Sequence, residues 1–532
     1  MYKTAVGYAI GKFLQVMGGV LLVPMIIATY DHGALPISHI AINTEVLGFS
    51  IAVLFSFLLG SFFVIVFKDG RHEQGIKEGY AIVTFGWLAM TFVTAIPFCG
   101  YLISIDPHGW SNFFLHFTDS YFEMMSGFTT TGATILSNIE TVPRSILFLR
   151  ALTHWLGGMG IITLAIVIFP TMGVSGYQMF RGEVPGPSAE KMAPRLAQTA
   201  SVLWGVYMLF TLVETVLLSL GGMSVFEAVC HAFATMATGG FSTENASVAG
   251  YGSAYIEWVI IVFMYFAGIN FLLHFRALRG EPMVMFKNKE FIFYNGVILV
   301  ALIIITSVLV IYGMDPIEKT FTHFRNQPMS PEAFAEHYQV QGGFLNSIHD
   351  TVRTVLFQVV SIVTTTGFAT QDFDLWPDIL RFIMVLLMFF GGCAGSTGGG
   401  IKMIRVLMIW KVAKNELRKL TQPRLVSPVK IDGHVIDDRR TINVVSFVIL
   451  FVGLFILTAG LMTLFVPDLT TAVTTSIATI GNIGPGLSGV GAVENYGWIP
   501  IPGKWVLVFS MLLGRLEIFT VLIMFRPQVW RK

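Results

Sequence analysis

Thr129-Thr130-Thr131-Gly132-Ala133 is the first of four short threonine–glycine clusters in this chain of 532 residues. Each cluster lies between two long apolar runs, in a stretch that is itself too polar to cross a membrane. The other three are Ala237-Thr238-Gly239-Gly240-Phe241, Thr364-Thr365-Thr366-Gly367-Phe368 and Ala478-Thr479-Ile480-Gly481-Asn482, and their key glycines are 108, 127 and 114 residues apart. Because repeated motifs indicate repeated structural units, the clusters predict four tandem copies of one unit.

An acid or a threonine precedes each key glycine by the same distance. Thirteen residues before the four glycines stand Asp119, Glu227, Thr354 and Asp468. At the start of a short helix such side chains satisfy free N–H groups, and an acid also favours the positive end of the helix dipole. The negative end then points at the threonine–glycine turn. Each copy is therefore predicted to contain a long helix, a short helix, a turn and a second long helix.

Four negative helix ends around one axis attract cations and repel anions, and rings of backbone carbonyls replace the hydration shell of ions in potassium channels. The alternative is that threonine and glycine only allow membrane helices to pack closely. The shared register of the four clusters favours a pore. On the short helices, Glu123, His231 and Gln358 occupy equivalent positions. Packing or hydrogen bonding is therefore the interpretation for His231.

The composition is that of a membrane protein with many spanning helices. Hydrophobic residues make up 54% and charged residues 12%, whereas soluble domains carry about 25% charged residues. A net charge of +1 gives no basic footprint for nucleic acid, and three cysteines in apolar stretches form no disulfide framework. Ten runs are predicted to span the bilayer: Phe13–Ala28, Val46–Phe67, Tyr80–Ile105, Ala151–Tyr177, Thr199–Val225, Trp258–Leu273, Phe291–Met314, Phe382–Ala394 with its glycine-rich continuation, Ile442–Val466 and Trp505–Met524.

The basic residues predict the orientation. With the N-terminus in the cytoplasm, 25 of the 33 Lys and Arg residues fall in cytoplasmic segments, as the positive-inside rule requires. The predicted fold is an all-α polytopic membrane protein with four helix–pore-helix–helix repeats around a pseudo-fourfold pore. Its predicted divisions are an N-terminal two-helix extension over 1–74 and repeats over 75–198, 199–290, 291–440 and 441–532.

With these motifs the chain resembles the membrane subunit of the Trk/Ktr/HKT family of potassium transporters, in its Trk branch. The resemblance implies potassium uptake across the bacterial inner membrane by a non-enzymatic protein with no covalently bound cofactor. It also implies potassium ions held in a filter, and a glycine rather than a serine at Gly132 favours potassium over sodium. The fourth loop departs most, with Ile480 before its glycine. The implied filter residues are Thr130, Thr131, Gly132, Thr238, Gly239, Gly240, Thr365, Thr366, Gly367, Thr479, Ile480 and Gly481.

A second motif follows the third cluster. Six glycines between Gly391 and Gly400 disfavour a continuous helix, because each costs about 1 kcal/mol relative to alanine. A phosphate-binding P-loop is excluded, since Ile401 separates the last glycine from Lys402. The alternative is a patch of close helix packing. In the family this stretch is an intramembrane gating loop, which implies a gating role for Gly391, Gly392, Cys393, Ala394, Gly395, Ser396, Thr397, Gly398, Gly399 and Gly400.

Arg515 is predicted to lie midway along the last apolar run, where an unpaired charge costs at least ~2.5 kcal/mol. In the family an arginine here faces the pore beside the gate. Glu517 is its candidate partner, although Glu517 could instead pair with another helix. A structural ion pair without a role in permeation is the other interpretation of Arg515.

The resemblance further implies a homodimer in the lipid bilayer and a TrkA-like cytoplasmic nucleotide-binding regulatory subunit. Residues 402–440, with Arg276 and Arg279, are the candidate docking surfaces, although the 402–440 segment equally suits anionic lipid. Two other classes stay open. A sodium- or proton-coupled symporter would use Glu214 or Glu517, and a haem or redox enzyme would use His154, His231 or His274. The outer loop from Asp315 to Ser347 is either an entrance vestibule or a solvated linker.

Overall fold

The protein is described from a computed structural model over residues 2–31, 44–72, 75–171, 196–311, 348–422, 430–432, 434–436 and 438–530. The outer loop predicted over 315–347 lies outside these residues. Within them, six helices are long and apolar enough to cross a membrane, and two further pairs would do so as bent spans. The six are Lys3–Asp31, Thr44–Val66, Lys77–Ile105, Ala200–Leu220, Lys289–Ile311 and Asp438–Met462.

Two leading helices precede four units with the same order of elements. The leading pair comprises Lys3–Val20, continued as Leu22–Asp31, and Thr44–Val66. Each unit has a long helix, a short helix that we call the re-entrant helix, and a second long helix. The units are, in order, Ile76–Ile105, Phe113–Phe128 and Arg144–Thr171; Leu196–Leu220, Val225–Met236 and Ala254–Ala267 with Phe271–Leu278; Lys289–Ile311, Ile348–Val363 and Asp378–Leu387 with Met403–Thr421; Asp438–Met462, Leu469–Ile480 and Ile501–Arg515.

The second long helix of every unit, which follows the re-entrant helix, is interrupted. In the first unit Gly160 has φ 65° and ψ 153°. In the second and fourth units the chain bends by 103° after Ala267 and by 111° after Arg515. In the third, residues 391–400 separate two helices. The continuous spans predicted for Trp258–Leu273 and Trp505–Met524 are therefore broken, because apolar composition does not report on backbone direction.

The remaining elements are short. Strands Lys430–Ile431 and His434–Val435 pair antiparallel into a hairpin. The short helices and 3-10 turns are Lys68–His72, Ser247–Tyr251, Met283–Lys287, Phe373–Leu375, Ser488–Val490, Phe519–Leu522, Ile523–Phe525 and Pro527–Trp530.

Apolar residues cover both the interior and the outer face of the bundle. One large cluster joins the leading helices to the first and fourth units, and a second joins the second, third and fourth units. On helix Thr44–Val66, the outward residues Leu54, Leu58 and Ile65 are 60%, 63% and 70% exposed. A soluble protein would bury such a stripe, whereas lipid tails are as apolar as the side chains themselves. The outer face is thus suited to lipid.

Candidate functional site

All four re-entrant helices end in the same turn. A backbone N–H just beyond each helix donates to the carbonyl five residues earlier, which satisfies a carbonyl of the last helical turn. Each donor lies in a four-residue segment that we call a ring loop. The ring loops are residues 129–132, 237–240, 364–367 and 481–484. The N···O distance is 2.8 Å in every copy, from Thr131 to Ser126, Gly239 to Ala234, Thr366 to Ser361 and Ile483 to Ala478.

The backbone dihedrals repeat as well, and they correct the register predicted for the fourth loop. The second residue of each loop is left-handed, with φ of 50°, 54°, 59° and 54° at Thr130, Thr238, Thr365 and Asn482. The fourth residue is a left-handed glycine, with φ of 80°, 79°, 81° and 99° at Gly132, Gly240, Gly367 and Gly484.

Gly481 was predicted to be the fourth key glycine, but it has a helical φ of −77° and caps its helix. Thr479 and Ile480 still lie within helix Leu469–Ile480. Helix Leu469–Ile480 therefore continues three residues further than expected from aligning Gly481 with Gly132. The structural equivalent of Gly132 is therefore Gly484.

The four glycines close a ring, because each meets the loop of the next unit. A Cβ on Gly132 would overlap the Gly239 carbonyl oxygen, one on Gly240 that of Thr366, and one on Gly367 that of Ile483. The order returns to the start, since a Cβ on Gly484 would lie 2.6 Å from the Thr131 carbonyl oxygen. Left-handed backbone and lack of space thus both require glycine at these positions.

Four carbonyl oxygens lie at these contacts between loops. They belong to the residues just before the four glycines: Thr131, Gly239, Thr366 and Ile483. All four residues are buried, yet within the described part of the chain no donor hydrogen-bonds to these oxygens. Buried backbone carbonyls are nearly always paired. A ring of four unpaired ones is therefore a site with the chemistry to surround a cation.

Side chains of the re-entrant helices hold the chain that leaves the first three loops. The Glu123 carboxylate accepts from the Ile135 N–H at 2.8 Å, His231 Nε2 lies 3.0 Å from Ser242 Oγ, and Gln358 donates to the Gln371 carbonyl at 3.1 Å. His231 therefore takes part in hydrogen bonding at this position. In the fourth unit, Thr474 Oγ1 accepts from the Leu487 N–H at 3.0 Å.

The acids predicted at the helix starts differ among the copies. Glu227 forms a capping box with Ser224, and Asp468 caps its helix by accepting from the Thr471 N–H at 2.8 Å. Asp119, in contrast, lies inside helix Phe113–Phe128. It pairs with Lys504, whose side chain is fully buried, so it anchors the first unit to the fourth and does not cap a helix.

The glycine-rich loop 391–400 lies against the ring loops and the ends of the re-entrant helices. Its Gly399 N–H donates to Thr365 Oγ1 at 2.7 Å, and Thr397 Oγ1 donates to the Met236 carbonyl at 3.0 Å. A Cβ on Gly398 would lie 3.0 Å from the Thr364 carbonyl oxygen. The ends of the loop are tied to each other, because the Gly391 N–H donates to the Ile401 carbonyl at 2.9 Å.

Arg515 joins this loop to the first unit. Its guanidinium donates to the Thr397 carbonyl at 2.7 Å and to the Gly158 carbonyl at 3.0 Å, as well as to that of Gly157. Arg515 is the last residue of helix Ile501–Arg515, and so does not lie midway along a helix as predicted. Glu517 forms an ion pair with Arg405, on another helix.

The comparisons with known proteins agree with this architecture. A model of the TrkH family, described as cation transport protein, matches residues 48–532. The chain belongs to the TrkH family. It is 34% identical over 538 residues to the Trk system potassium uptake protein TrkH of Escherichia coli (strain K12), with full coverage of both chains. It is 37% identical over 477 residues to the protein of that name from Salmonella typhimurium, covering 88% of this chain and 89% of the relative.

A solved structure extends the match to the fold. The crystal structure of the potassium transporter TrkH from Vibrio parahaemolyticus has a TM-score of 0.80 and 30% identity to this chain, with 100% of both chains covered. The predicted all-α membrane fold is thereby confirmed. Membership of this family also confirms that the chain is a transport protein and not an enzyme.

Sequence analysis did not identify several residues that shape the site in this family member. Arg150 Nε lies 2.8 Å from Glu123 Oε1, and both side chains are almost fully buried. Lys504 and Gly484 were also missed. The signal for Gly484 was present, because Asn482-Ile483-Gly484 matches Thr130-Thr131-Gly132 once asparagine is accepted as a left-handed residue. No sequence signal pairs Lys504 with Asp119, which is 385 residues away.

The carboxylates of the symporter interpretation lie outside the ring loops, whereas His154 packs against Gly239 of a ring loop and His231 contacts Ser242 just beyond that loop. Glu214 is fully buried in helix Leu196–Leu220, and neither it nor Glu517 belongs to a ring loop. His154 stacks on Phe241 at 4.0 Å, and His274 Nε2 donates to the Phe266 carbonyl at 2.9 Å. Among the described residues, no group of three or more His, Cys, Asp or Glu side chains is placed to hold a metal ion.

Proposed function

We propose that this chain takes up potassium ions across the bacterial inner membrane, along the axis enclosed by the four ring loops. The observation that carries the proposal is the closed ring of buried carbonyl oxygens at Thr131, Gly239, Thr366 and Ile483. The names of the relatives, potassium uptake proteins, support the choice of ion.

The ring suits a large monovalent cation. An ion that enters must lose its hydration water, and carbonyl oxygens can replace that water without adding a full negative charge. The C-terminal ends of four re-entrant helices add partial negative charge around the same axis. Neutral ligands with weak fields hold the ion loosely enough for it to leave again, which conduction requires.

Above the ring, the path begins in a cavity of about 320 Å³ that the four glycines line. Its wall also carries Glu140, Glu244 and Glu494. Carboxylates at the entrance concentrate cations near the ring. The acidic wall therefore supports uptake of cations from this side.

Beneath the ring, loop 391–400 is the gate in this proposal, and Arg515 holds it in place. The loop contacts the second, third and fourth re-entrant helices or their loops, and Arg515 ties it to Gly157 and Gly158 of the first unit. All four units thus meet at the loop. Its many glycines allow it to change conformation at low steric cost.

The same proposal places the N-terminus in the cytoplasm and includes a homodimer and a TrkA-like nucleotide-binding partner. On the proposed cytoplasmic face, Arg276 pairs with Glu281 at 2.7 Å, and both side chains are exposed. Arg279 is also exposed, beside Phe275. Together with helix Met403–Thr421 they form a basic surface for such a partner.

Rubidium flux into proteoliposomes tests the filter and the gate together. Three proteins are compared with the wild type: Gly367→Ser, a variant with a shortened 391–400 loop, and the control Gly453→Ala. Gly453 is exposed on helix Asp438–Met462, and an added Cβ would meet no neighbouring atom within 4 Å. It lies outside the ring loops and the cavity.

We expect a saturable flux that potassium competes for in the wild type and the control. Gly367→Ser loses discrimination against sodium, and the shortened loop raises the flux. Absence of flux with the cytoplasmic partner added, or unchanged selectivity in Gly367→Ser, would contradict the proposal.

A further inference from the structure

Glu290, the second residue of helix Lys289–Ile311, is buried although its side chain is polar, with 6% of its surface exposed. One oxygen of its carboxylate, Oε1, accepts two backbone hydrogen bonds. They come from the Ala394 N–H at 2.7 Å and from the Ile404 N–H at 3.0 Å. These donors lie in and just beyond loop 391–400, so a single atom fixes the loop relative to the helix that follows it.

The hydrogen bond from the Ile404 N–H to Glu290 replaces an N-cap that the residues next to this helix do not provide. Helix Met403–Thr421 begins after Lys402, whose side chain forms no capping hydrogen bond, and its first turn contains no acid. The Ile404 N–H is one of the donors that a helix N-terminus leaves unpaired. A carboxylate there is favoured by the hydrogen bond and by the helix dipole.

We propose that Glu290 is the latch of loop 391–400: its carboxylate holds the loop in the position seen here by binding Ala394 and capping helix Met403–Thr421 with the same atom. The inference rests on the proposed gating role of the loop. Glu290 is a positioning residue, because it acts on the path through the loop.

The hairpin formed by strands Lys430–Ile431 and His434–Val435 supports Glu290. The Asp432 carboxylate accepts from the Lys289 N–H at 2.9 Å and from the Asn288 side chain at 3.3 Å, so it caps the helix that carries Glu290. Ile431 packs in an apolar cluster with Ala394 and Ile404, the two residues that Glu290 binds. A force on the hairpin would therefore reach both the latch and the loop.

Cys393, next to Ala394, reports on the loop without any need for transport. It is 1% exposed, and the other two cysteines, Cys99 and Cys230, are 6% and 2% exposed at other places in the fold. Purified protein in detergent is treated with N-ethylmaleimide at constant pH, and the labelling rate of each cysteine is measured by peptide mass spectrometry. Cys99 and Cys230 then serve as internal controls for general unfolding.

In Glu290→Ala we expect Cys393 to label about tenfold faster than in the wild type, because two buried donors lose their acceptor. Cys99 and Cys230 keep their wild-type rates. Glu290→Gln labels more slowly than Glu290→Ala, since the amide oxygen still accepts both bonds, and Asp432→Ala shows a smaller increase. The control Glu281→Ala removes an exposed carboxylate near the same helix and leaves all three rates unchanged.

An unchanged Cys393 rate in Glu290→Ala would overturn the latch, and so would an equal increase at all three cysteines, which would indicate a general structural role. An unchanged Cys393 labelling rate in Asp432→Ala would show that the contacts of Asp432 do not support the position of Glu290. If Cys393 alone becomes reactive while basal rubidium flux stays at the wild-type level, the latch stands and the gating role of the loop fails.

Discussion

Gly481 and Gly484 are three residues apart, and only Gly484 has the left-handed backbone of Gly132, Gly240 and Gly367. At the residue scale this distinction makes a prediction. Gly484→Ser should lower the discrimination between rubidium and sodium as Gly367→Ser does, because a Cβ there would push on the Thr131 carbonyl. Gly481→Ser should keep the selectivity even if it lowers the flux. The ratio of rubidium to sodium flux in proteoliposomes measures both.

The opposite pattern, with selectivity lost in Gly481→Ser and retained in Gly484→Ser, would restore the register predicted from the sequence. That prediction aligned Thr479-Ile480-Gly481 with Thr130-Thr131-Gly132. It missed that asparagine adopts left-handed backbone more readily than threonine does, so Asn482 replaces the left-handed threonine of the other loops. Sequence alone could show that a fourth loop exists, but the end of helix Leu469–Ile480 set its register.

A second prediction concerns the buried ion pair of Glu123 and Arg150. Breaking one side of such a pair leaves an uncompensated charge, which costs about 3–5 kcal/mol. Arg150→Met and Glu123→Gln should therefore each lower the temperature of unfolding in detergent. The double variant should lose less than the sum of the two, because it leaves no lone charge. Strict additivity would show that the pair contributes no coupling.

At the scale of elements, the apolar runs fall on helices in the described part of the chain, but only six of these helices and two bent pairs are long and apolar enough to span a membrane. The runs did not show where the helices are interrupted. Arg144–Thr171 is broken at Gly160, and the last helix ends at Arg515. Hydropathy averages over a window and is insensitive to a single reversed φ. The break at 391–400 was predictable because six glycines mark it. Glu517 and Ile518, with φ of 60° and 53°, give no such signal.

Arg515→Gln should raise rubidium flux in the absence of a cytoplasmic partner by about tenfold or more, because charged hydrogen bonds to Thr397 and to the first unit are lost. Selectivity should stay at the wild-type value, since the ring is untouched. Arg526→Gln removes an exposed arginine beyond the same helix and should change nothing. A loss of selectivity in Arg515→Gln without a rise in flux would place Arg515 in the filter and not at the gate.

At the scale of the whole molecule, the repeat spacing predicted four units, whereas the closure of the ring required the structure. The pairing of Lys504 with Asp119 likewise joins distant units. Such contacts depend on the packing of elements far apart in the chain, and neither periodicity nor composition encodes them. The cavity above the ring is likewise lined by residues of all four units.

That cavity predicts a pH dependence. Burial, and then the charges of Glu140 and Glu227, raise the pKa of Glu244 to about 7. The carboxyl is therefore neutral in the folded protein at pH 6 and ionised at pH 8. Since the ordinary pKa is 4.5, this group favours folding most below pH 4.5, and its contribution is lost as the pH rises towards 7.

Uptake at low rubidium concentration should accordingly rise about two- to fivefold from external pH 6 to pH 8, as negative charge develops at the entrance. Glu140, Glu494 and Arg150 also line the cavity, and Glu244→Gln leaves them in place. Glu244→Gln should flatten the profile. A full pH dependence in that variant would assign the titration to another group.

In the proposed function the four ring loops hold one cation between them. Anomalous diffraction from crystals grown with rubidium in place of potassium would locate that cation. We expect an anomalous peak enclosed by the carbonyl oxygens of Thr131, Gly239, Thr366 and Ile483. Rubidium bound elsewhere, for example beside the buried Glu214, with no peak within the ring, would contradict the proposal.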